Sequence, residues 1–469
     1  MNRNEKRKVF IVNIAIVFFL LVFFIKICPI VPYDQDDWIY LGKIRMPIPI
    51  WKGWNPSKVL PEVLMPLCGY LGAYLFFPIL GDYIFSISFS AAVIVAAFIA
   101  CMCYYVMKFF YKRINMSVDL ALIFEVLFLI LCFLIFRNRG TSRFMFSAEN
   151  MNCIFNYTIP GIINAICVLV LMQYQDFSKE YKSFNAVKKG FFVILVYFAI
   201  FSNIFHSGML AIYCGIMALK GIWNLIKERK KHIRNYCCQY NVYLLIFVLW
   251  GGAVLFELSG GRASAVSSGM GLSLIISVKQ LVALAGALSP LFVLMAAAAF
   301  SWLLITLVCK KEDKTIYLLI LLNFILVAGY LIVLCSAINY MSRIEASWAI
   351  WFYIILVTLL GIADFVLKVS KVKPFLLLGL ILIAISTYYP DGRFLISTVG
   401  NIDYDTCAKT DRYIIGQIIR VEREQEGDKQ IHVPFVKDEK LKWTFTDGYA
   451  ESMTITLYNH GILQNYVDV

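Results

Sequence analysis

Long apolar runs alternate with short polar breaks along most of this chain. A helix needs about twenty apolar residues to cross a bilayer. The pattern therefore predicts an all-α polytopic membrane protein with about eleven transmembrane helices. The predicted spans are residues 9–29, 83–107, 118–136, 157–174, 190–205, 208–225, 241–257, 286–308, 315–335, 345–367 and 373–390.

The polar breaks differ in charge. Lysine and arginine concentrate in alternate breaks, at residues 3–8, 108–113, 179–189, 227–234, 310–314 and 368–373. Cytoplasmic loops carry the excess of basic residues, so the pattern predicts an N-in and C-out orientation. We therefore expect a transmembrane domain over 1–390, in which 30–82 form the first outer loop, and an external segment over 391–469.

Two apolar stretches interrupt this scheme. Residues 59–80 carry Pro61, Glu62 and Pro66, and residues 270–285 carry Lys279 and Gln280. Counting 59–80 as a span would move every later basic loop to the wrong side of the membrane. We expect both stretches to be amphipathic or re-entrant elements on the outer face.

The last segment, 391–469, contains no apolar run of spanning length. Ile414, Ile418 and Val421 recur at helical spacing. Alternating runs at 430–436, 442–445 and 454–457, bounded by turn residues, predict short strands. The segment is therefore expected to form a small external α/β appendage.

Composition supports the membrane assignment and argues against nucleic acid as a partner. The 469 residues are 61% hydrophobic, with a mean hydropathy of +0.75 and a net charge of +13. The basic residues lie in short loops between apolar runs, which is typical of orientation in a membrane and not of nucleic-acid binding. The expected location is the cytoplasmic membrane, in contact with its lipids.

An acidic motif, Asp34-Gln-Asp36-Asp37-Trp38, follows the first span directly. A charged side chain in hydrocarbon costs roughly 2.5–3.5 kcal/mol or more, so the motif must lie at a membrane surface. Crowding of two carboxylates raises the pKa of one of them. Asp36 and Asp37 are the candidate catalytic residues, and the sequence leaves the choice between them open.

The other outer loops contribute further polar and aromatic side chains. Helices that bundle bring short loops at one face together, which predicts one outer cavity. The candidate substrate-binding residues are Asp34, Trp38, Lys58, Glu62, Arg143, Glu149, Asn156, His206, Arg262, Arg343 and Glu345.

This mixture of residue types favours sugar transfer from a lipid carrier. Arginine binds phosphate in a bidentate manner, which assigns Arg143, Arg262 and Arg343 to a phosphate group. A carboxylate takes the proton of a hydroxyl as that hydroxyl attacks an anomeric carbon. Polar groups such as Asn156 and His206, together with Glu149, would orient the sugar or the acceptor.

The chain resembles the GT-C superfamily of membrane glycosyltransferases, and in particular the bacterial polyprenyl-phosphate-sugar-dependent enzymes of the O-antigen glucosyltransferase type. The resemblance rests on DQDDW at 34–38, FNYTIPG at 155–161, NIFHSG at 203–208 and the topology. It implies a polyprenyl-phosphate-linked sugar donor, a glycan or lipid-linked acceptor, and an inverting reaction at the extracytoplasmic face. It also implies that an acidic residue of the first outer loop, here Asp36 or Asp37, acts as base or helps to bind a divalent metal such as Mg or Mn. No second acidic pair is evident in a later loop, so metal dependence stays open.

Two other functions compete with this interpretation. A flippase or transporter of lipid-linked oligosaccharides would favour symmetric halves, broken helices or charges at the membrane midplane, whereas this sequence has few midplane charges and no evident inverted repeat. A surface-polysaccharide polymerase would also use outer-face arginines but would not require the early acidic motif.

Overall fold

The computed structural model describes residues 1–45, 48, 54–136, 143–227, 233–259, 270–309, 315–368, 403–423, 431 and 448–468. Across these residues the chain is helical and contains no β-strand. Nine of the helices in this part of the chain are long and apolar enough to cross a membrane. The prediction of a polytopic helical membrane protein is therefore confirmed.

Sixteen helices, numbered here in chain order, make up the described structure. They are α1 (Arg3–Ile27), α2 (Gln35–Gly42), α3 (Val59–Leu80), α4 (Tyr83–Lys112), α5 (Val118–Leu134), α6 (Met151–Met172), α7 (Phe177–Ser183), α8 (Ala186–Ile200), α9 (Ile204–Lys227), α10 (Ile233–Leu258), α11 (Met270–Ala285), α12 (Pro290–Cys309), α13 (Thr315–Ser336), α14 (Trp348–Lys368), α15 (Tyr404–Arg423) and α16 (Tyr449–Asn459).

The helices match most of the predicted spans, but the number of crossings stays a prediction. Predicted spans 118–136 and 190–205 correspond to α5 and α8, which have 17 and 15 residues and are short for a full crossing. The span predicted at 373–390 lies outside the described residues. Conversely, α3 has 22 residues and the apolar composition of a span, although the sequence predicted a surface element there.

The predicted strand at 454–457 is wrong, because α16 covers these residues. Tyr449, Met453 and Leu457 recur at helical spacing and are all buried. Packing against α2 outweighs the local alternation of threonine with apolar residues. The predicted strand at 442–445 falls outside the described residues, as does 430–436 apart from Ile431.

The helix predicted from Ile414, Ile418 and Val421 is confirmed. It is α15, and these three side chains form its buried face. The turn residues that follow the last of the alternating runs, Asn459, His460 and Gly461, lie at a helix end, since α16 ends at Asn459 and Gly461 has a φ of +67°. A positive φ is readily adopted by glycine, which ends the helix here.

The chain divides into two compact units. The first comprises Met1–Val12, Cys101–Phe146 and Pro160–Gly392, and the second comprises Asn13–Ala100, Ser147–Ile159 and Arg393–Val469. The second unit therefore contains the acidic motif together with the C-terminal helices α15 and α16. The boundary predicted at residue 390, between a transmembrane domain and an external segment, stays a prediction.

Close helix approaches hold the first unit together. A Cβ added at Gly361 on α14 would lie 2.8 Å from the carbonyl carbon of Ala299 on α12. A Cβ added at Gly208 on α9 would lie 2.8 Å from the ring of Tyr330 on α13. Small residues allow helices to approach closely, which is how apolar helices associate without a strong hydrophobic driving force.

An open cavity of about 490 Å³, which we call the span-end cavity, lies on the second unit. It is bounded by the last residues of α1, the first turn of α4 and the first half of α15. Its lining consists of Ile25, Lys26, Ile27, Pro29, Asp82, Phe85, Asp403, Tyr404, Asp405 and Arg412.

Candidate functional site

The acidic motif builds the N-terminus of α2. Asp34 is the N-cap, and its Oδ1 accepts a hydrogen bond from Asp36 N at 3.1 Å. The Asp37 carboxylate reaches back and accepts from Asp34 N at 3.2 Å and from Tyr33 N at 3.0 Å. This is a reciprocal capping box, and acidic groups at a helix N-terminus are also favoured by the helix dipole. The local sequence therefore explains why the carboxylates cluster here.

Asp37 lies in the interior of the second unit. It is 0% exposed, and its Oδ1 accepts from Asn152 N at 2.6 Å. Burial, and then the charge of Asp34, raise the pKa of Asp37 to about 8, while the three amide donors act in the opposite direction. Both oxygens of Asp37 are therefore committed to holding backbone groups.

The start of α6 is tied to the same carboxylates. Asn150 caps α6 by accepting from Cys153 N at 2.7 Å, and its Nδ2 donates to Asp34 Oδ2 at 2.9 Å. Asn156, predicted to orient a sugar or the acceptor, is buried and donates to the backbone oxygen of Asn152 at 3.0 Å. The position of Asn156 favours a structural role, because its amide stays within the α6 N-terminus.

The inner face of α2 packs against the C-terminal helices. The Trp38 indole is buried and donates to the Tyr449 hydroxyl at 2.9 Å, which in turn donates to Asp411 Oδ1 at 2.6 Å. The Thr456 hydroxyl donates to the backbone oxygen of Trp38. This position favours a structural role for Trp38 over the predicted contact with a substrate. Burial raises the pKa of Asp411 well above its usual range.

The C-terminal end of α2 is fixed in the same manner. Asn459 Nδ2 donates to the Gly42 oxygen at 2.9 Å, and His460 Nε2 lies 3.1 Å from the Leu41 oxygen. Since a carbonyl only accepts, Nε2 carries the proton and Nδ1 accepts from the Tyr83 hydroxyl at 2.6 Å. Burial lowers the pKa of His460 to about 4, so the ring is neutral.

The outer face of α2 has a different character. Asp36 is exposed and Tyr40 is half-buried, and four residues separate them, which makes them neighbours on a helix. The Arg45 guanidinium and the Lys58 ammonium each lie 5.8 Å from the centre of the Tyr40 ring. These distances are within cation–π range. We call Asp36, Tyr40, Arg45 and Lys58 the α2 outer face.

Glu62 of α3 contacts Arg45 and so helps to hold the α2 outer face in place. It is 3% exposed, and its Oε1 lies 3.3 Å from Arg45 Nη1. The sequence predicted Lys58 and Glu62 as binding residues but missed Arg45 and Tyr40. The i, i+4 relation of Tyr40 to Asp36 was the available signal, while the position of Arg45 depends on how α3 packs.

Several predicted residues belong to the first unit. Arg343 Nε and Nη2 each lie 2.9 Å from Glu345 Oε1, and its guanidinium lies 4.8 Å from the centre of the Tyr340 ring. His206 is buried, and its Nε2 lies 3.0 Å from the Glu345 backbone oxygen. These contacts join the first turn of α9 to the connection between α13 and α14.

The remaining predicted residues are scattered. Arg143 is exposed in the first unit, and Glu149 is exposed in the second, where its backbone oxygen accepts from the Tyr33 hydroxyl at 3.4 Å. Arg262 lies outside the described residues.

The acidic motif does not fit a divalent metal. The oxygens of Asp37 accept three amide bonds, and those of Asp34 accept from Asp36 N and Asn150 Nδ2. Over the described ranges, no group of three or more histidine, cysteine or acidic side chains is placed to hold a metal ion. A metal site needs several oxygen ligands, and amide donors already occupy the oxygens of both Asp34 and Asp37.

A buried polar cluster in the first unit was not predicted. Asp364 on α14 accepts from Trp302 Nε1 at 2.8 Å and from the Tyr317 hydroxyl at 2.9 Å. Lys368 Nζ lies 2.6 Å from both Asp364 oxygens. The cluster joins α12, α13 and α14 at one end, and only the Asp364–Lys368 spacing hints at it in the sequence.

Comparison with protein-family models, with curated proteins and with solved structures found no match to this chain.

Proposed function

We propose that this protein is a membrane glycosyltransferase that moves a sugar from a polyprenyl-phosphate-linked donor to a glycan or lipid-linked acceptor outside the cytoplasm. The observation that carries the proposal is the α2 outer face. There an exposed carboxylate, an aromatic ring and two cations lie together on one side of a short, rigidly held helix.

Asp36 is the proposed base. A general base must reach the proton that it takes and must be ionised when the substrate arrives. Asp37 meets neither condition, since it is buried among amide donors and its pKa stands at about 8. Asp36 projects from the same turn toward solvent, and the capping box around it fixes the backbone from which it projects. Asp37 is therefore a positioning residue.

Arg45 and Lys58 are the proposed partners of the donor phosphate. Both carry positive charge, and an arginine fork suits phosphate oxygens. Glu62 holds Arg45 by the contact described above, and both cations lie 5.8 Å from the centre of the Tyr40 ring. The ring offers an apolar face to a sugar.

The proposed reaction is a direct displacement at the anomeric carbon of the donor sugar. Asp36 takes the proton of an acceptor hydroxyl while the hydroxyl oxygen forms a bond to the anomeric carbon of the donor sugar. The bond between that carbon and the phosphate oxygen breaks, and the polyprenyl phosphate leaves with the electron pair. The positive charges of Arg45 and Lys58 stabilise the charge that develops on the leaving phosphate. Attack opposite the leaving group inverts the configuration at the anomeric carbon.

The span-end cavity supports the predicted sidedness. The last turn of α1 and the first turn of α4 line this one cavity. A helix of 22 residues such as α3 is about 33 Å long and would separate these two turns by the full membrane thickness if it crossed. Their proximity therefore favours α3 as a re-entrant or surface element, with α2 on the side where α1 ends.

The same cavity bears on the C-terminal segment. Asp403, Asp405 and Arg412 line it beside the end of α1, which favours the same side of the membrane for α15 and the acidic motif. In the predicted N-in orientation this side is extracytoplasmic.

The test is an assay with full-length protein in lipid nanodiscs and a panel of polyprenyl-phosphate sugars with glycan acceptors. We expect transfer of one of these sugars by the wild type and its loss in Asp36→Asn, with retention in the control Glu451→Gln. Glu451 is a matched control, because it is also an exposed carboxylate in the first turn of a helix of this unit. Removing a general base costs about 10²- to 10⁴-fold in rate.

Three results would refute the proposal. Asp36→Asn could transfer sugar at the wild-type rate. The wild type could move lipid-linked oligosaccharide across the bilayer without transferring any sugar, which would favour the flippase. It could also join repeat units while ignoring every single-sugar donor, which would favour the polymerase.

A further inference from the structure

The span-end cavity lies on the second unit and shares no residue with the α2 outer face. Its lining combines apolar side chains at the end of α1 with aromatic and charged side chains from α4 and α15. A volume of about 490 Å³ lies in the range of roughly 300–1,000 Å³ typical of small-molecule sites. The proposed transfer reaction leaves this cavity without a role.

The charges of the cavity are fixed by its own contacts. Arg412 Nε and Nη2 lie 3.1 and 2.8 Å from Asp82 Oδ2, so these two groups neutralise each other. Asp403 accepts from Thr406 N at 2.8 Å and from the Thr406 hydroxyl at 2.7 Å, which caps α15. The hydroxyl bond is the main reason that the pKa of Asp403 is lowered, and it keeps this carboxyl ionised.

Asp405 and Lys26 carry the other two charges of the lining. Both side chains are exposed. Together with the Asp82–Arg412 pair and Asp403, they leave one more negative than positive charge in the lining. An excess negative charge opposes the entry of a phosphate or another anion. It is compatible with a neutral ligand that donates hydrogen bonds.

We propose that the span-end cavity binds a neutral saccharide. Hydroxyl groups donate short, strong bonds to carboxylates, and the exposed Asp405 lines the cavity. Lys26 would donate to a ring or hydroxyl oxygen. Phe85 and Tyr404 supply the aromatic surface that covers the apolar face of a sugar ring.

The identity of this saccharide as part of the acceptor glycan rests on the proposed function, whereas its binding does not. A second contact with the acceptor, away from the reacting hydroxyl, would supply binding energy that positions that hydroxyl. The cavity would then select acceptor glycans that are long enough to reach from Asp36, where the hydroxyl reacts, to the end of α1.

The experiment measures binding without a donor. Full-length protein in nanodiscs is titrated with neutral gluco- and galacto-configured tetrasaccharides, and binding is followed by saturation-transfer NMR. We expect saturable binding of at least one of them. Removing one charge-assisted hydrogen bond in Asp405→Ala should weaken binding by about ten- to a hundredfold. Lys26→Ala should weaken it in the same direction.

Glu451→Ala is the control for the loss of an exposed carboxylate from a helix first turn, and it should bind like the wild type. The melting temperature of each variant is also measured, and affinities are compared only between variants that melt like the wild type. A folding defect is then not mistaken for a binding defect. Asp36→Asn should keep the wild-type affinity, since Asp36 does not line the cavity. Loss of transfer in Asp36→Asn therefore tests the reaction, and loss of binding in Asp405→Ala tests the cavity.

The inference is overturned if neither tetrasaccharide binds the wild type, or if Asp405→Ala and Lys26→Ala both bind with unchanged affinity. It is also overturned if inorganic phosphate or phosphatidylglycerol vesicles, and not the saccharides, bind in a manner that Lys26→Ala abolishes. Those probes would identify an anionic ligand instead.

Discussion

Replacing Tyr449 by phenylalanine tests whether the C-terminal helices hold the acidic motif in place. The Tyr449 hydroxyl accepts from Trp38 Nε1 at 2.9 Å and donates to Asp411 Oδ1 at 2.6 Å. All three side chains are fully buried. Phenylalanine keeps the ring and removes only the oxygen, so the change leaves an indole N–H and a carboxyl oxygen in the interior without this partner.

The expected cost follows from those two groups. A buried polar group that loses its partner costs about 1–3 kcal/mol, so Tyr449→Phe should destabilise the unit by about 2–6 kcal/mol. Almost no ring contact is lost, so the cost reflects polar groups and not a cavity. The loss should appear first where α16 meets α2, because the missing oxygen bridges these two elements.

Hydrogen exchange of the full-length protein measures this loss locally, and thermal unfolding measures it globally. Tyr458→Phe is the matched control, since Tyr458 lies on the same helix with a side chain that is 45% exposed. A surface substitution of this kind should change stability by no more than about 0.5 kcal/mol. Equal protection of the 35–42 amides in both variants would show that the bridge does not hold α2.

Three further predictions concern the same contacts. Burial raises the pKa of Asp411 from 3.8, so the contribution of this residue to stability is full below about pH 4 and declines as pH rises. The variant Asp411→Asn should flatten that decline when unfolding is measured from pH 4 to 9. An unchanged slope would contradict this prediction. The pKa of His460 is lowered from 6.5 to about 4, so stability should fall as pH drops through this interval, and His460→Gln should remove that part of the acid sensitivity in the same titration. Gly42→Ala would place a Cβ 2.7 Å from the Thr456 Cα, so we expect a marked decrease in melting temperature. The control is Gly416→Ala on α15, where an added Cβ meets nothing within 4 Å, and this variant should be neutral or slightly stabilising. Similar effects of the two substitutions would refute this packing.

The sequence predicted the membrane class and most helices because these depend on local composition. A run of about twenty apolar residues specifies a helix in lipid wherever it occurs in the chain. The same reasoning located the buried face of α15, since Ile414, Ile418 and Val421 recur at helical spacing. It failed at 454–457, where alternation over four residues is too short to separate a strand from a helix that packs against α2.

Within the candidate site, the sequence identified the acidic motif but did not distinguish its members. Asp36 and Asp37 are adjacent and chemically identical, and a helix turns by about 100° per residue. Which of them faces solvent is decided by what covers the other side of α2. That cover comes from Asn152 and from Tyr449, which are more than one hundred and more than four hundred positions away.

The sequence by itself determined that a cluster of carboxylates just beyond the first apolar run must lie at a membrane surface, because charge is excluded from hydrocarbon. Only the tertiary structure decided which carboxylate is buried as a cap and which is presented to solvent beside Tyr40, Arg45 and Lys58. Burial is a property of the partners that long-range packing brings to a residue, and no local pattern around residues 34–38 encodes those partners.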